Sequence, residues 1–461
     1  MPATDLLVLG AGPAGVGAAF RAARAGHRVV VLERGQGPGG AAGSFELDGI
    51  RVDHGSHRLH PTIQPRILDD LRGLLGDELQ RRPRNGRIFL EGRWIRFPLR
   101  PADLARRLPP SFLLGAARDA ATAWARRPRA DTFAEVLRAG LGPTMCERFY
   151  FPYARKLWGL EPDELDGEQA RRRVTAGSPA RLLRRVASGA APAGSYFWYP
   201  RRGFGTISER LAEAATRRGA ELRYQATAER LELTPDQATV TLAGGETVTA
   251  RRVWSTIPLP VLARITDPAP PAPVLEAAGR LAFRSMLLVY LVLEVDRYSP
   301  CDAHYLPDAG TPVTRVSEPT NYRDGDDPPG RTVLCAELPC ARGGELWRSS
   351  EEALGRLVRA ALRERGLPDA PLRSLAVRRL PHAYPVYRAG YAAAFQALDA
   401  WVAAQPALLS FGRLGLFAHD NTHHALAMAW AAADALDEHG AFDRAAWADA
   451  RAGFASHVVE D

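Results

Sequence analysis

The 461-residue sequence contains little cysteine, a single lysine and no long hydrophobic run. Its four cysteines show no C-x-x-C pair, which argues against a disulfide framework or a zinc site and favours a reducing compartment. The longest aliphatic run, residues 287–293, is far shorter than the ~18 residues of a membrane-spanning helix. The first residues lead directly into glycines, without the basic and apolar regions of a signal peptide. We therefore expect a cytoplasmic protein with no integral membrane segment.

Positive charge exceeds negative charge but is spread along the chain. Sixty basic and 52 acidic residues give a net charge of +8, and Lys156 is the only lysine. Nucleic-acid-binding proteins gather basic residues on one face, whereas here acidic residues accompany the arginines throughout. The runs at 81–87 and 171–173 are typical of solvated loops or helix faces. We predict no nucleic-acid partner.

The pattern of apolar residues predicts an alternation of strands and helices. Residues 5–9, 13–25 and 28–32 are predicted as strand, helix and strand, which together form a βαβ unit. At roughly 150 residues per domain, the length predicts two to three domains. The later predicted elements are helices at 65–75, 104–185, 207–218 and 422–436 and strands within 221–257, 283–293, 332–338, 376–380 and 408–411.

A glycine motif connects the first predicted strand to the first helix. Gly10 permits a tight turn, Gly12 lets a pyrophosphate approach backbone N–H groups at the helix N-terminus, and Gly15 brings helix and strand together. Glu33 closes the second strand 18 residues after Gly15, where it can accept hydrogen bonds from ribose hydroxyls. With strand, helix and acid in register, the motif predicts a dinucleotide site rather than a structural turn.

Further glycines after Glu33 favour a flavin dinucleotide over a nicotinamide one. Gly39 and Gly40, followed by Gly43 and Ser44, offer a second place where backbone can approach the phosphates closely. An NAD domain normally continues with alternating strands and helices, and no second G-x-G-x-x-G opens a predicted helix in the sequence. We therefore predict FAD as the cofactor, without a dedicated nicotinamide site.

Recurring motifs extend over nearly the whole chain. Residues 33–44 carry an acid followed by glycines, and residues 199–205 (YPRRGFG) carry a glycine turn before a helix. By these motifs the sequence resembles the flavoprotein superfamily that includes protoporphyrinogen oxidase, the amine oxidases and UDP-galactopyranose mutase. The stretches most similar to the mutase, in the same order, are GSHRLH at 55–60, KLWG at 156–159, TRVSE at 314–318, AYPV at 383–386, GRLG at 412–415 and NTH at 421–423.

The resemblance implies an α/β fold with a Rossmann-like FAD-binding domain of the glutathione-reductase type, built from discontinuous segments. It also implies a second α+β substrate domain and a helical insert. The expected segments are 1–85, 191–265 and 401–461 for FAD binding, 86–190 for the helical insert and substrate domain, and 266–400 for the sheet of the substrate domain.

The resemblance also assigns residues to the cofactor. A helix beginning near residue 422 would bring its partial positive end to the flavin's pyrimidine edge, where reduced flavin carries negative charge. The implied FAD contacts are Gly10, Gly12, Pro13, Ala14, Gly15, Glu33, Arg34, Gly39, Gly40, Ala41, Ser44, His57, Ala228, Ser255, Gly412, Arg413, Asn421, Thr422 and His423.

On the substrate side, the resemblance implies a cleft with several catalytic candidates. Histidines there can hydrogen-bond the flavin or shuttle protons near neutral pH. A lysine in an arginine-rich sequence fits a phosphate or a water near flavin N5, because its ammonium is compact. Both the lysine and a stacking tryptophan are also compatible with structural positions. The candidates are His57, His60, Lys156, Trp158, Arg315, Tyr384 and His423.

Two reaction classes differ in what they require of this cleft. The mutase grips a nucleotide-sugar diphosphate between arginines. Arg315 and Tyr384 match two of its positions, but Ala176 stands where it has its other arginine. The chain is also longer than a typical bacterial mutase. We therefore predict an FAD-dependent oxidoreductase that takes a hydride from a small-molecule substrate at flavin N5, with oxygen or another acceptor for reoxidation. The alternative is a redox-neutral, flavin-dependent nucleotide-sugar mutase.

Other chemistries have less support in the sequence. The two histidine groups, at 54–60 and 419–424, lack cysteines or a cluster of carboxylates, so no metal site is predicted. No G-x-S-x-G elbow of a hydrolase occurs, and no feature indicates a non-catalytic flavin carrier. The substrate, the covalent or non-covalent attachment of FAD, the oligomeric state and peripheral membrane contact through 104–127 stay open.

Overall fold

The computed structural model describes residues 4–173 and 195–459. Its strands are β1 Thr4–Leu9, β2 Val29–Leu32, β3 Ser44–Leu47, β4 Ile50–Asp53, β5 Leu79–Pro83, β6 Gly86–Leu90, β7 Arg93–Phe97, β8 Tyr196–Pro200, β9 Glu221–Arg223, β10 Ala228–Leu233, β11 Ala238–Leu242, β12 Thr247–Ser255, β13 Thr266–Asp267, β14 Phe283–Leu293, β15 Ala303–Tyr305, β16 Arg315–Ser317, β17 Thr332–Cys340, β18 Leu372–Pro385 and β19 Leu408–Ser410. Its helices are α1 Pro13–Arg24, α2 Pro65–Leu75, α3 Pro101–Arg107, α4 Pro110–Ala121, α5 Phe133–Leu141, α6 Pro143–Met145, α7 Phe151–Trp158, α8 Gly167–Arg173, α9 Thr206–Thr216, α10 Leu259–Ile265, α11 Ala272–Arg280, α12 Glu345–Arg348, α13 Glu351–Glu364, α14 Tyr391–Ala403, α15 Gly412–Gly415, α16 Thr422–Asp434 and α17 Arg444–Phe454.

The first sheet carries the predicted βαβ unit at its centre. Its strand order among the described residues is β13-β10-β11-β12-β1-β2-β9, and β19 also pairs with β12. Strand β1 runs parallel to both β2 and β12, with Leu7 opposite Val30 and Val253. Such near-continuous aliphatic strands are typical of parallel sheets covered by helices on both faces. The α/β class and the βαβ unit are confirmed.

Helices cover both faces of this sheet. On one face α1 lies against α9 and α16, and a Cβ on Gly17 would be only 2.9 Å from the ring of Trp430. The other face is covered by α10, α11 and α14 around Leu7 and Leu9. Helices α11 and α14 thus pack against the first sheet, although α11 and most of α14 fall within the 266–400 segment expected for the substrate domain. The sheet-forming part of that segment is 283–385.

The second sheet is mostly antiparallel, with the order β18-β14-β17-β16-β15-β6-β7 among the described residues. Its central strands β14 and β17 are largely buried, with Leu287 opposite Leu338, and α13 covers one face. The segment 86–97 forms the hairpin β6–β7 and pairs with β15. The helical part of the expected 86–190 segment therefore begins at α3, because the alternating residues before it pair as strands.

Helices α3 to α8 form the insert. Helices α5, α7 and α8 share an apolar core that includes Phe133, Leu137 and Trp158, whereas α4 packs on β6 and β7 through Phe112. The predicted helical residues 174–185, and with them Ala176, lie outside the described residues. Across the ranges 4–173 and 195–459, no helix has the length and apolar character needed to cross a bilayer.

Candidate cofactor and active site

The chain turns sharply between β1 and α1, and glycines allow that turn. Gly10 has a φ of +97°, and its N–H donates to the carbonyl of Leu32 at 2.8 Å. A Cβ on Gly15 would lie 1.8 Å from the Gly10 carbonyl oxygen, whereas one on Gly12 would meet nothing within 4 Å. Because Gly12 and Pro13 begin α1, this open backbone lies at a helix N-terminus. The turn can therefore bind a pyrophosphate.

Glu33 braces this turn from the end of β2. Its carboxylate oxygens accept hydrogen bonds from the N–H groups of Ala11 and Gly35, at 2.8 and 2.7 Å. Its carbonyl accepts from the N–H of Ala226 at 2.9 Å, which brings the start of the following strand beside it. Each carboxylate oxygen has a second lone pair, so Glu33 can still accept from a ribose hydroxyl.

Three further predicted contacts lie at the margin of the turn. Arg34 forms no ion pair within the part of the chain that the structure describes, and Ala228 begins β10. Ser255 is buried at the end of β12, and the next residue, Thr256, contacts the turn that follows β1. A Cβ on Gly10 would lie 2.6 Å from Thr256 Oγ1. The residue of this strand end that reaches the turn is thus Thr256 rather than Ser255.

The glycines after β2 form a second loop against the first. Gly39 has a φ of +117°, and its N–H donates a hydrogen bond to the carbonyl of Ala11 in the first loop at 2.8 Å. A Cβ on Gly40 would lie 3.4 Å from the Cα of Gly12. His54 Nδ1 lies 3.1 Å from the Gly40 carbonyl oxygen, and Ala41 is exposed. The two glycine loops therefore border the same space.

A residue that the sequence did not single out, Asp53, joins the second loop to a distant turn. Its carboxylate accepts from the hydroxyls of Ser44 and Tyr199 at 2.6 and 2.5 Å, and from the N–H of Phe204 at 2.9 Å. The N–H of Gly205 donates to Ser44 Oγ at 2.8 Å. Because 146 residues separate Asp53 from Tyr199, only the fold reveals this connection.

Helix α16 begins close to the first glycine loop. Asn421 caps it, since its side chain accepts from the N–H of His424 and His424 Nδ1 accepts from the N–H of Asn421 at 3.3 Å. Thr422 is its first residue. Just upstream, a Cβ on Gly412, whose φ is +80°, would lie 2.9 Å from the Cβ of Ala14. Gly412 is thus brought against the first turn of α1, and α16 packs beside α1 further along.

The assembled residues fit a flavin dinucleotide. The two glycine loops present open backbone, and His423 Nδ1 and Arg413 Nε are buried without a hydrogen-bond partner among the described residues. Arg413 is held by a 2.8 Å hydrogen bond from Nη2 to the carbonyl of Ala383. A guanidinium and a helix N-terminus both favour anionic groups, as FAD carries in its pyrophosphate.

His57 lies where the two sheets meet. Its Nε2 donates to the carbonyl of His54 at 2.9 Å, and its ring stacks on Phe204 with centroids 5.3 Å apart. Burial lowers the pKa of His57, so the ring is neutral at pH 7 with Nδ1 as its acceptor. The preceding Ser56 donates its N–H to Glu337 of the second sheet at 2.9 Å.

Arg315 is engaged by a carboxylate. Its Nη2 donates to both oxygens of Glu337, at 2.8 and 2.9 Å, and both side chains are largely buried. The two residues face each other because β16 pairs with β17. The carboxylate of Glu337 compensates the positive charge of Arg315. A diphosphate would therefore have to compete with Glu337 for the guanidinium group. The local sequence carries no signal for this partner.

Trp158, Tyr384 and His419 form an aromatic wall. The Trp158 ring centroid lies 5.8 Å from that of Tyr384 and 4.8 Å from that of His419. Arg413 and Arg173 lie over the Tyr384 ring at 4.8 and 5.1 Å. Burial lowers the pKa of His419 well below its ordinary value, so it is neutral. The sequence predicts Trp158 and Tyr384 as site residues, whereas it places His419 in a histidine group without assigning it a role.

Lys156 has a structural position. Its ammonium donates to the carbonyls of Leu306, Asp308 and Val313 at 2.5, 2.8 and 2.7 Å. Burial lowers the pKa of Lys156 to about 7, but three carbonyl acceptors require the three donors of the protonated form. All its donors therefore hold the 306–313 loop against α7. These contacts favour the structural alternative for Lys156 over a catalytic role.

The buried side chains of His60 and His423 both lie near Thr62, which is exposed. Thr62 Oγ1 lies 2.8 Å from His60 Nδ1 and 3.4 Å from His423 Nε2. Burial and the neighbouring histidines lower the pKa of His423 to about 2. A neutral His423 can hydrogen-bond a flavin, so the lowered pKa favours this predicted role over that of a proton shuttle.

Asp420, His424 and His457 bring ligand-type atoms within 4.8 Å of one another. The rings of His424 and His457 are nevertheless stacked, with centroids 4.1 Å apart and planes 9° apart. The in-plane lone pairs of two parallel rings cannot converge on one ion, as metal coordination requires. Asp420 instead lies 3.3 Å from His457 Nδ1 and 3.5 Å from His424 Nδ1, which holds the end of the chain against the start of α16.

Comparisons with known proteins agree with this architecture. The family described as flavin containing amine oxidoreductase matches residues 13–436. A phytoene dehydrogenase from Streptomyces griseus is 29% identical over 445 residues, covering 79% of this chain and 82% of the relative. The crystal structure of a reduced UDP-galactopyranose mutase superposes with a TM-score of 0.80 at 20% identity, covering 94% of each chain. A protein assigned as a protoporphyrinogen oxidase from Exiguobacterium sp. 255-15 superposes with a TM-score of 0.73 at 22% identity, covering 94% of this chain and 98% of the other.

Fold and site together define a flavoprotein enzyme whose cofactor is FAD. The chain belongs to the flavin-containing amine oxidoreductase family. The superfamily and the cofactor predicted from the sequence are thereby confirmed.

Proposed function

We propose that this enzyme removes a hydride from a small-molecule substrate. FAD, when bound, supplies the hydride acceptor. The observation that carries the proposal is the Arg315–Glu337 ion pair, because it engages the arginine that a nucleotide-sugar diphosphate would need. An oxidoreductase acting on a C–H bond needs no such anion site.

The residues of the chain bind and orient rather than react. The two glycine loops and Glu33 hold the dinucleotide, while Trp158 and Tyr384 form the wall against which a substrate is positioned. Because His57 Nε2 donates to the carbonyl of His54, its Nδ1 is left as a hydrogen-bond acceptor for a bound molecule. Positioning of this kind can supply most of the rate acceleration of a hydride transfer.

The chemistry of the site favours an uncharged substrate. His57, His419 and His423 are all held neutral by burial, and the wall is aromatic. The relative from Streptomyces griseus is described as a phytoene dehydrogenase, which matches dehydrogenation of an apolar molecule. We expect oxygen to reoxidise the enzyme, since the sequence contains no nicotinamide motif.

Anaerobic spectroscopy of the purified holoenzyme tests the proposal. We expect a flavin spectrum whose visible band bleaches when a hydride-donating substrate is added, with phytoene as the first probe. Readmitting oxygen should restore the band. The Trp158→Ala variant should keep its flavin but bleach at least tenfold more slowly, since the wall is lost. A flavin that oxygen cannot reoxidise, but NAD(P)⁺ can, would contradict the choice of acceptor.

A redox-neutral nucleotide-sugar mutase is the second candidate, because the motif order and the fold resemble UDP-galactopyranose mutase. Such an enzyme would be protected against thermal unfolding by UDP or UDP-galactopyranose, and Arg315→Ala would abolish that protection. Reduced holoenzyme would then interconvert the two ring forms of the sugar without net bleaching. We expect neither protection nor interconversion.

A further inference from the structure

Two side chains stand apart as the most exposed large apolar groups of the described residues. Trp124 is 80% exposed and Leu114 is 72% exposed, whereas the next such residues reach only 36–37%. Both belong to one stretch of the insert, α4 and the turn that follows it. Exposing large apolar groups together in this way is costly in water and points to an interaction.

The spacing of α4 gathers these groups into one stripe. Leu114, Ala117 and Ala121 recur every three or four residues, so they share one helix face, and Trp124 continues the line. All four are exposed. The other side of α4 packs through Phe112 on the hairpin β6–β7. We call these four residues the 114–124 stripe.

Arginines are frequent in the sequence on both sides of the stripe and within it. Between residues 104 and 130 there are six arginines and one acid, Asp119, which is buried and accepts the N–H of Thr144 at 2.7 Å. Arg106, Arg118 and Arg129 are exposed and form no ion pair within the ranges that the structure describes. An exposed tryptophan with arginines around it combines an interfacial aromatic with groups that bind phosphate.

We propose that the 114–124 stripe docks the enzyme on the surface of a lipid bilayer with anionic headgroups. The stripe would enter the boundary between headgroups and acyl chains, and the arginines would pair with lipid phosphates. A second copy of the chain is a poorer occupant, because a two-fold interface would bring the same unpaired arginines face to face. No described helix spans a bilayer, so the contact is peripheral.

Docking in this way also orients the substrate side. Helix α4 lies on β6 and β7, and β7 is an edge of the sheet that carries Arg315 on β16. A docked enzyme therefore holds this edge of the second sheet near the lipid. An apolar substrate could then pass from the bilayer to the enzyme without crossing water, although the docking itself does not depend on the proposed reaction.

Vesicle co-sedimentation of the full-length holoenzyme tests the proposal. We expect binding to vesicles of equal parts phosphatidylcholine and phosphatidylserine, weaker binding to phosphatidylcholine alone, and a steep loss of binding as salt is raised. The double variant L114S/W124S and the triple variant R106Q/R118Q/R129Q should each bind at least tenfold more weakly. The control L275S, at a less exposed apolar site, should bind like the parent protein.

We expect each variant to fold, because all the substituted side chains are exposed. Flavin content and thermal unfolding check this. Absence of binding to phosphatidylserine vesicles, or equal binding by L114S/W124S, would overturn the proposal. A lipid-free oligomer in light scattering that L114S/W124S abolishes would assign the stripe to a second copy instead, and would equally overturn it.

Discussion

Two glycines of the first loop are required for different reasons. Gly15 has no room for a side chain, since its Cβ would lie 1.8 Å from the Gly10 carbonyl oxygen. Gly12 has room in the protein itself, and what its missing side chain leaves open is the approach of the cofactor. Folding and cofactor binding therefore depend on separate positions of one motif.

These reasons predict different outcomes for two alanine variants. Gly12→Ala should fold with near-parental stability as apoprotein but bind FAD at least tenfold more weakly. Gly15→Ala should destabilise the apoprotein itself, by an overpacking cost of about 1–3 kcal/mol or more. Thermal unfolding of flavin-free protein and FAD titration measure the two effects. A Gly12→Ala protein with parental FAD affinity would contradict the placement of the pyrophosphate at this turn.

Lys156 gives the second prediction at this scale. Replacing it by methionine leaves three carbonyls of the 306–313 loop without their donor, so we expect a loss of about 1–3 kcal/mol in the free energy of unfolding. Flavin content should be unchanged. Urea unfolding of Lys156→Met and of the control Arg155→Met measures the effect, because the exposed Arg155 side chain forms an ion pair with Glu161. If Lys156→Met kept the parental stability but lost turnover, Lys156 would have a catalytic role.

At the scale of elements, Asp53 connects the second glycine loop, strand β8 and the start of α9. One buried carboxylate accepts three hydrogen bonds from these elements. Hydrogen bonds to a charged group contribute more than neutral ones, because the charge strengthens each of them. The loop's position thus depends on a side chain outside every recognised motif.

Asp53→Asn should accordingly weaken both the fold and the cofactor site. The amide nitrogen cannot accept, so at least one donor loses its partner, and we expect about 1.5–3 kcal/mol of destabilisation with reduced FAD affinity. The exposed Glu46 of β3 provides a matched control, and Glu46→Gln should change neither quantity. Equal behaviour of the two variants in urea unfolding and FAD titration would rule out the connecting role.

For the whole molecule, stability should depend on pH through buried histidines. Burial lowers the pKa of His304 to about 3 and of His423 to about 2, and it lowers the pKa of His57 and of His419. Below about pH 6.5 the unfolded chain takes up protons that the folded chain does not. The free energy of unfolding therefore decreases as the pH is lowered. Each such histidine contributes a loss of up to about 1.4 kcal/mol per pH unit.

Urea unfolding between neutral and mildly acidic pH measures this slope. His304→Gln should reduce it, because the variant has no imidazole to protonate in the unfolded state. His439→Gln should leave it unchanged, since His439 is 82% exposed. A parental slope in His304→Gln would show that His304 is not held neutral in the folded protein.

Local rules explain what could be predicted. The spacing of Gly10, Gly12 and Gly15 and the aliphatic runs on either side determine the βαβ unit, because turn geometry and strand burial depend on neighbouring residues. Helix α2 begins and ends at the predicted residues 65 and 75. The pairing of the 86–97 hairpin with β15 and the packing of α11 and α14 on the first sheet were beyond such rules, because both depend on which distant sheet offers an open edge or face.

The sequence by itself thus determined the fold class, the cofactor and the glycine motif that opens the first helix. Only the tertiary structure decided the roles of the charged side chains. Lys156 finds its acceptors about 150 residues away, and Arg315 finds Glu337 across a strand pair. A buried charge must be satisfied by whichever groups the fold brings to it, and chain order carries little information about those groups.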